Sequence, residues 1–354
     1  MPLLKCSKNE LNLGAVLLGG QSFRWRKLVT NDENISPASD DIFLGVAKHR
    51  VWKIWRENDE QLGYEVLAKF SKARGNDLDV LKDYFQLDIE LMPLYKLWAE
   101  NDKYFAHLLE NHRMKLEGIR VLGQDPLETV FAFICSANNH IRRITNMVET
   151  LCELYGESTN IPCSNGMKTF YDFADLKRMT DDPALEKVLR IRGFGYRALN
   201  IALASKTLED NGEQFLENLS KGSYEDAMEE LQQMRGIGAK VADCICLMGL
   251  RMHSVVPIDT HTLQITAENY LQTLQQRKSL QGKDRQQVAN FNINVLMPPL
   301  DHKSRERFSA AVWQEKFGPY AGWAQAVLFT AHLRQMNIRQ PTKKRLSKIK
   351  TVKL

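Results

Sequence analysis

The segment Leu231-Gln-Gln-Met-Arg-Gly-Ile-Gly-Ala-Lys240 and the turn Val255-Val-Pro-Ile-Asp-Thr-His261 bring together a phosphate cradle, an amine and a carboxylate. Leu231 to Met234 read as the end of one helix, Gly236-Ile237-Gly238 as a tight turn, and Lys240 to Leu250 as the start of a second helix. That pattern is a helix-hairpin-helix, expected at about 225–250. Gly236 and Gly238 let the backbone turn sharply, so that the free N–H groups opening the second helix can meet a phosphate. Such a cradle grips a nucleic-acid backbone without reading its sequence.

Lys240 is out of place on folding grounds, because a cation in the first turn of a helix is unfavourable by a few tenths to about 1 kcal/mol. The same field, with desolvation, is expected to lower its pKa and raise the neutral amine fraction, giving a nucleophile able to form a Schiff base. Val241-Ala-Asp-Cys-Ile-Cys-Leu-Met-Gly-Leu250 is nearly all apolar and predicts a buried helix, after which the returning chain can set Asp259 beside the amine. Singly, the glycines read as an interhelical loop and the lysine as a solvated charge. Together with Pro257-Ile258-Asp259 they favour catalysis.

Farther on, Gln325 and Phe329 are four residues apart and share a helix face. An aromatic face can stack on an extruded purine, and a glutamine amide offers the donor and acceptor that a guanine edge requires. From spacing alone, a half-buried helix with an incidental glutamine is the plainer reading. Gly193-x-Gly195-x-x-Ala198 is a degenerate dinucleotide fingerprint, but it joins two helices and follows no strand. Lys240 is followed by Val241, which excludes a P-loop.

Five segments, in this order along the chain, resemble the helix-hairpin-helix DNA glycosylases with a Gly/Pro-Asp motif, and within them the 8-oxoguanine DNA glycosylase/lyases. They are Gly20-Gln-Ser-Phe-Arg-Trp25, Cys135-Ser-Ala-Asn-Asn139, Gly193-Phe-Gly-Tyr-Arg197, Lys240-Val-Ala-Asp-Cys-Ile-Cys-Leu-Met248 and Gly318-Pro-Tyr-Ala-Gly-Trp-Ala-Gln-Ala-Val-Leu-Phe329. Only the stretches before 15, from about 270 to 303 and after 336 fall outside the resemblance.

The resemblance implies that Lys240 attacks C1′ of the damaged nucleotide and that Asp259 stabilises the developing oxocarbenium charge. It implies a base pocket of Gly20, Cys244, Gln325 and Phe329, in which the Gly20 carbonyl accepts the N7 proton of oxidised guanine. Asn138, Arg143 and Arg197 would fill the gap left by the base and bond the orphaned cytosine, and His261 would meet the 5′ phosphate. The plainer readings are a turn for Gly19-Gly20, a helix cap for Asn138 and His261, exposed or ion-paired arginines, and a core Cys244. His332 departs from the acid the family often has there, which bears on pocket polarity.

The activity so implied is excision of 8-oxoguanine opposite cytosine in duplex DNA, followed by β-elimination at the abasic site, by a monomer without cofactor. Three alternatives stand beside it: a glycosylase for another damaged base, a non-catalytic DNA-binding module, and a nucleotide-binding oxidoreductase.

Composition is compatible with this. The 354 residues carry a net charge of +5 and 44% hydrophobic content, enough for a substantial core and permissive of a polyanionic partner. Cys6, Cys135, Cys152, Cys163, Cys244 and Cys246 have no regular spacing and are expected to be reduced. No cysteine follows Cys246, which argues against an iron-sulfur cluster, and the eight histidines form no zinc motif, so a metal-free site is expected. No stretch approaches the ~20 apolar residues of a membrane span, and no signal-peptide core is seen. Lys343, Lys344, Arg345, Lys348, Lys350 and Lys353 form a basic tail that reads as a nuclear localisation signal or DNA tether, with a mitochondrial location left open.

The elements needed to hold these residues fall into an α+β arrangement. Phe23–Leu28, Asp41–Val46, Arg50–Trp55 and Tyr64–Leu67 alternate as antiparallel strands with one buried face. From Leu81 the apolar spacing becomes helical, and Asp125-Pro126 starts a helix over Leu127–Ser136. Further helices are expected at Ile141–Tyr155, Pro183–Arg190, Tyr196–Leu208, Ser223–Met234, Lys240–Leu250 and Ala321–Met336. The predicted organisation is a β-rich N-terminal domain (1–120), a helical body (121–336) with a polar insertion at about 271–303, and a basic, disordered tail (337–354).

Overall fold

The computed structural model describes residues 2–28, 42–163, 166–212, 214–270 and 302–339. Apart from its last two positions the predicted insertion lies outside the described residues, as does the tail beyond 339.

Strands β1 (Leu3–Lys5), β2 (Trp25–Leu28), β3 (Ile42–Ala47), β4 (Arg50–Asn58) and β5 (Gln61–Lys69) form an antiparallel sheet in the order β1-β5-β4-β3-β2. The register pairs Phe43 with Ile54 and Gly45 with Trp52, which puts Phe43, Trp52 and Ile54 on one face with Trp25 and Leu62. Leu44, Val46 and Val51 occupy the other face. A single buried face was expected, yet all six residues of β3 are buried. The cause is a second hairpin, β6 (Ser158–Cys163) and β7 (Gly166–Tyr171), whose Ile161 and Phe170 cover the Leu44 face. The polar, proline-containing sequence of β6 gave no strand signal, and β1 is too short to show a period.

Helix α1 (Leu13–Leu17) is capped by Asn12, whose side chain accepts the Ala15 N–H at 3.0 Å. It leads into the Gly19-Gly20 turn. Helices α2 (Asp77–Tyr84), α3 (Leu91–Asn101) and α4 (Lys103–Leu116) follow the sheet. Tyr95, Trp98 and Phe105 of α3 and α4 belong to the large core of the helical body, where Trp98 donates to the Phe317 carbonyl at 3.2 Å. Arg120 is wholly buried and donates to the Glu10, Phe85, Gln86 and Ile89 carbonyls and to the Glu10 carboxylate. A buried guanidinium is tolerated only when its donors are met in this way.

The body continues with α5 (Pro126–Ser136), capped by Asp125 with proline in its first turn, then α6 (Ile141–Tyr155), α7 (Leu176–Thr180), α8 (Leu185–Ile191), α9 (Arg197–Asn211) and α10 (Phe215–Lys221). After these come α11 (Tyr224–Gln233), α12 (Ala239–Met248), α13 (Thr260–Asn269), α14 (His302–Phe317), a 3-10 turn (Gly318–Tyr320) and α15 (Ala321–Arg339). Helix α14 was not expected. Its apolar positions are sparse, but Trp313 and Phe317 are fully buried, and Trp313 donates to the Thr266 hydroxyl at 2.8 Å.

Helix α12 is central, packed on α5 and α11, and every residue from Val241 to Leu250 is buried. Burial of Val241, Ile245 and Leu247 contributes roughly 1.5–3 kcal/mol each. That outweighs the penalty of up to about 1 kcal/mol for Lys240 in the first turn.

Candidate active site

Two buried contacts fix the hairpin between α11 and α12. Ile237 points inward at the tip, and the Tyr224 hydroxyl donates to the Asp243 carboxylate at 2.7 Å across the two helices. Gly236 adopts φ +93°, and a Cβ there would lie 2.5 Å from the Asn200 amide of α9. Glycine is therefore required twice over, by conformation and by space. Gly238 is the N-cap of α12, makes no side-chain cap, and faces open space. The first N–H groups of α12 thus open toward solvent with room for an incoming phosphate.

Lys240, half-buried in that first turn, has its ammonium 5.6 Å from the Phe133 ring centroid. The Cys244 sulfur one turn on and the Asp259 carboxylate hold its pKa above the ordinary lysine value, against desolvation, which acts the other way. The expected lowering is therefore corrected for the free protein: these partners outweigh the helix-terminus field and burial. Burial pushes the Cys244 thiol itself up to about 11, so at neutral pH it faces the lysine as a neutral thiol.

Asp259 is placed by the start of α13, which it caps. Its Oδ1 accepts the Thr262 N–H at 2.9 Å and the Thr262 hydroxyl at 3.1 Å. The Val255–Asp259 segment is held against α15 at Gly322, where a Cβ would fall 2.2 Å from the Val255 carbonyl. That close approach brings the helix carrying Gln325 alongside the turn carrying Asp259.

Lys240, Cys244, Asp259, Gly20, Gln325 and Phe329 line one cavity of about 930 Å³. Gln325 is buried and donates to the Thr262 hydroxyl at 3.0 Å, while Phe329 is half-buried beside the His261 ring. His261 and Asn138 also line the cavity. The buried His332 ring lies 5.5 Å from that of His261, so the departure from an acid places a second imidazole there. Next to Gly20, the Gln21 side chain bonds the Arg120 carbonyl and the Leu122 N–H, tying that turn to the body.

Asn138 is not a helix cap. It sits between α5 and α6 at φ +48°, a region asparagine tolerates better than most residues. Arg197 is buried behind this loop and donates to the Ala137 and Asn138 carbonyls, and Arg143 donates to the Gly193 carbonyl at 3.1 Å. Neither arginine lines the cavity; both brace its rim. Sequence reasoning passed over Tyr196, whose exposed ring stacks on the Arg197 guanidinium with the charge 4.6 Å from its centroid. It also passed over Phe133 and Thr262. Thr262 had a usable signal in the Asp-x-x-Thr spacing of a cap, whereas Phe133 reads only as core.

The arrangement unites an amine, a carboxylate, a cavity large enough to admit a purine base and a helix N-terminus whose first N–H groups open to solvent. Among the described residues no group of histidine, cysteine and acidic side chains is arranged to hold a metal ion. Residues 3–130 match the family model of the 8-oxoguanine DNA glycosylase N-terminal domain. The chain is 34% identical over 344 residues to the N-glycosylase/DNA lyase of Saccharomyces cerevisiae, covering 93% of this chain and 85% of that protein. It is 33% identical over 335 residues to that of Arabidopsis thaliana, covering 93% and 80%. Among solved structures, the 8-oxoguanine glycosylase/lyase of Clostridium acetobutylicum in its apo form superposes with a TM-score of 0.67 at 25% identity, covering 91% of this chain and 93% of that one. That enzyme has also been solved with duplex DNA containing cytosine opposite 8-oxoguanine. With identity of this level spread over nearly its whole length, the chain belongs to the 8-oxoguanine N-glycosylase/DNA lyase family of helix-hairpin-helix proteins.

Proposed function

We propose that the protein extrudes 8-oxoguanine paired with cytosine from duplex DNA, excises it through a Schiff base on Lys240, and nicks the resulting abasic site. The observation that carries this reading is the convergence of Lys240, Asp259, Gln325 and Phe329 on one cavity beside the hairpin. The N–H groups opening α12 hold the DNA backbone, and the extruded base enters between Phe329 and Cys244 with its edge toward Gln325. Gly20 supplies a carbonyl acceptor for the N7 proton that oxidised guanine has and guanine lacks, worth roughly 1–3 kcal/mol of discrimination.

Lys240 loses its ammonium proton and attacks C1′, and the C1′–N9 bond breaks with its electron pair leaving on the base, which takes up a proton. Asp259 stabilises the positive charge developing on the sugar. Opening of the sugar ring gives an iminium joining Lys240 to C1′. Removal of a C2′ proton then expels the 3′ phosphate, and water releases the lysine. The 343–353 basic cluster supports nuclear residence as part of the same proposal.

The test is borohydride reduction on a duplex with one 8-oxoguanine opposite cytosine. A covalent adduct in the wild type, absent in Lys240→Gln, is expected. Trapping only on a preformed abasic duplex would overturn the substrate, and none on either would overturn catalysis.

A further inference from the structure

From the hydrogen-bonded chain Gln325–Thr262–Asp259 we infer that Thr262 is a specificity-setting positioning residue, fixing which end of the Gln325 amide faces the extruded base. This rests on the proposed 8-oxoguanine pocket and deepens it. Thr262 is fully buried, and its hydroxyl has one proton to give. Two acceptors compete for that proton, Asp259 Oδ1 at 3.1 Å and the Pro257 carbonyl at 3.3 Å, and the nearer is a carboxylate, the stronger partner. Either choice directs the proton away from Gln325 and presents an oxygen lone pair to it. Only an N–H can answer that lone pair, and Gln325 Nε2 does so at 3.0 Å.

The consequence is directional. With Nε2 committed to Thr262, the amide turns Oε1 and its remaining N–H toward the cavity. A reversed amide would set Oε1 against the Thr262 oxygen unless the hydroxyl abandoned Asp259. The catalytic carboxylate thereby orients the residue that reads the base. A guanine-type edge presents an N1–H donor to Oε1, whereas an adenine-type edge presents a bare N1 acceptor there and is repelled. Substituting valine preserves the shape, the methyl group and the backbone N–H that Asp259 accepts, and removes only the hydroxyl.

The experiment measures single-turnover excision of 8-oxoguanine and 8-oxoadenine, each opposite cytosine. Thr262→Val is expected to lower the 8-oxoguanine to 8-oxoadenine ratio about tenfold, as for loss of one net hydrogen bond, while loss of the hydroxyl's bond to Asp259 acts on both substrates alike and cancels in the ratio. Thr262→Ser is expected to restore the ratio, and in a Gln325→Ala background the valine is expected to lower it no further. Thr262→Ala replaces the valine variant if the latter does not fold. An unchanged ratio, with or without equal loss on both substrates, or additive effects with Gln325→Ala overturns the inference. A wild type that ignores 8-oxoguanine instead overturns the proposed substrate.

Discussion

Cys244 stands one turn beyond Lys240 on α12, and the two side chains line the same cavity. Because that sulfur and Asp259 hold the lysine pKa up, the free protein keeps an ammonium where the chemistry needs an amine. The excision rate should therefore rise with pH as the amine is released. Below about pH 11 the buried Cys244 is a neutral thiol, so of the two only the Asp259 carboxylate acts on the lysine by charge. Cys244→Ala should therefore leave the rising limb nearly in place, whereas Asp259→Asn should move it to lower pH. Single-turnover pH profiles on the 8-oxoguanine duplex check this, and a limb that moves with Cys244→Ala or stays with Asp259→Asn contradicts it.

Asp259 has two separable tasks, a charge for the cavity and a cap for α13. Asparagine caps nearly as well as aspartate. Asp259→Asn should thus keep wild-type thermal stability while excision falls by about a hundredfold or more, the usual effect of removing a group that stabilises transition-state charge. Asp259→Ala should lose a similar factor in rate and also about 1 kcal/mol of stability. Equal stability loss in both variants would show that the cap depends on charge.

The two glycines of the hairpin should fail differently. Gly236→Ala meets a positive φ and the Asn200 side chain, and should cost about 1–3 kcal/mol in stability. Gly238→Ala has ordinary dihedrals and open space, and as an N-cap change it should cost no more than about 1 kcal/mol in stability. Its methyl group nevertheless enters the approach to the free N–H groups of α12, and duplex affinity by fluorescence anisotropy should weaken about tenfold. Unchanged affinity in Gly238→Ala would take the hairpin tip out of the DNA interface.

Residues whose role is written in local spacing were legible in the sequence. The hairpin glycines, the buried run after Lys240 and the Asp125-Pro126 start of α5 each carry their conformational reason within a few positions. Pairings that depend on distant chain were not. Nothing near Lys240 announces that Cys244 and Asp259 outweigh its desolvation, and nothing near β6 announces that Ile161 and Phe170 cover Leu44. Arg197 took its DNA contact from the family resemblance alone, with an exposed or ion-paired charge as the plainer reading, because nothing in Gly193-Phe-Gly-Tyr-Arg197 marks it as buried. Its burial behind Ala137 and Asn138 is a tertiary fact.

Glu128 couples the junction of sheet and body to pH. Burial raises its pKa from the ordinary 4.5 to about 7, opposed by the Arg24 guanidinium 4.0 Å away and reinforced by Asp125 and Asp172. A carboxyl raised on folding favours the native state below its unfolded value, and that advantage is lost as pH rises from about 4.5 through about 7. His49 acts in the same direction: burial disfavours its charge, but Asp172 at 2.7 Å prevails and raises its pKa. Asp77, Asp83 and Asp175, whose pKa values are lowered by cationic partners, lose their contribution only as pH falls below the ordinary carboxylate range and add no slope in this window, so it is His49 that keeps the wild-type slope alone from being diagnostic. Denaturant unfolding of wild type and Glu128→Gln at pH 5 and pH 8 isolates the group. Relative to wild type, the variant should gain stability on going to pH 8, by an amount on the order of 3 kcal/mol for a shift of this size. A pH-independent difference between the two proteins would mean that Arg24 keeps Glu128 ionised throughout.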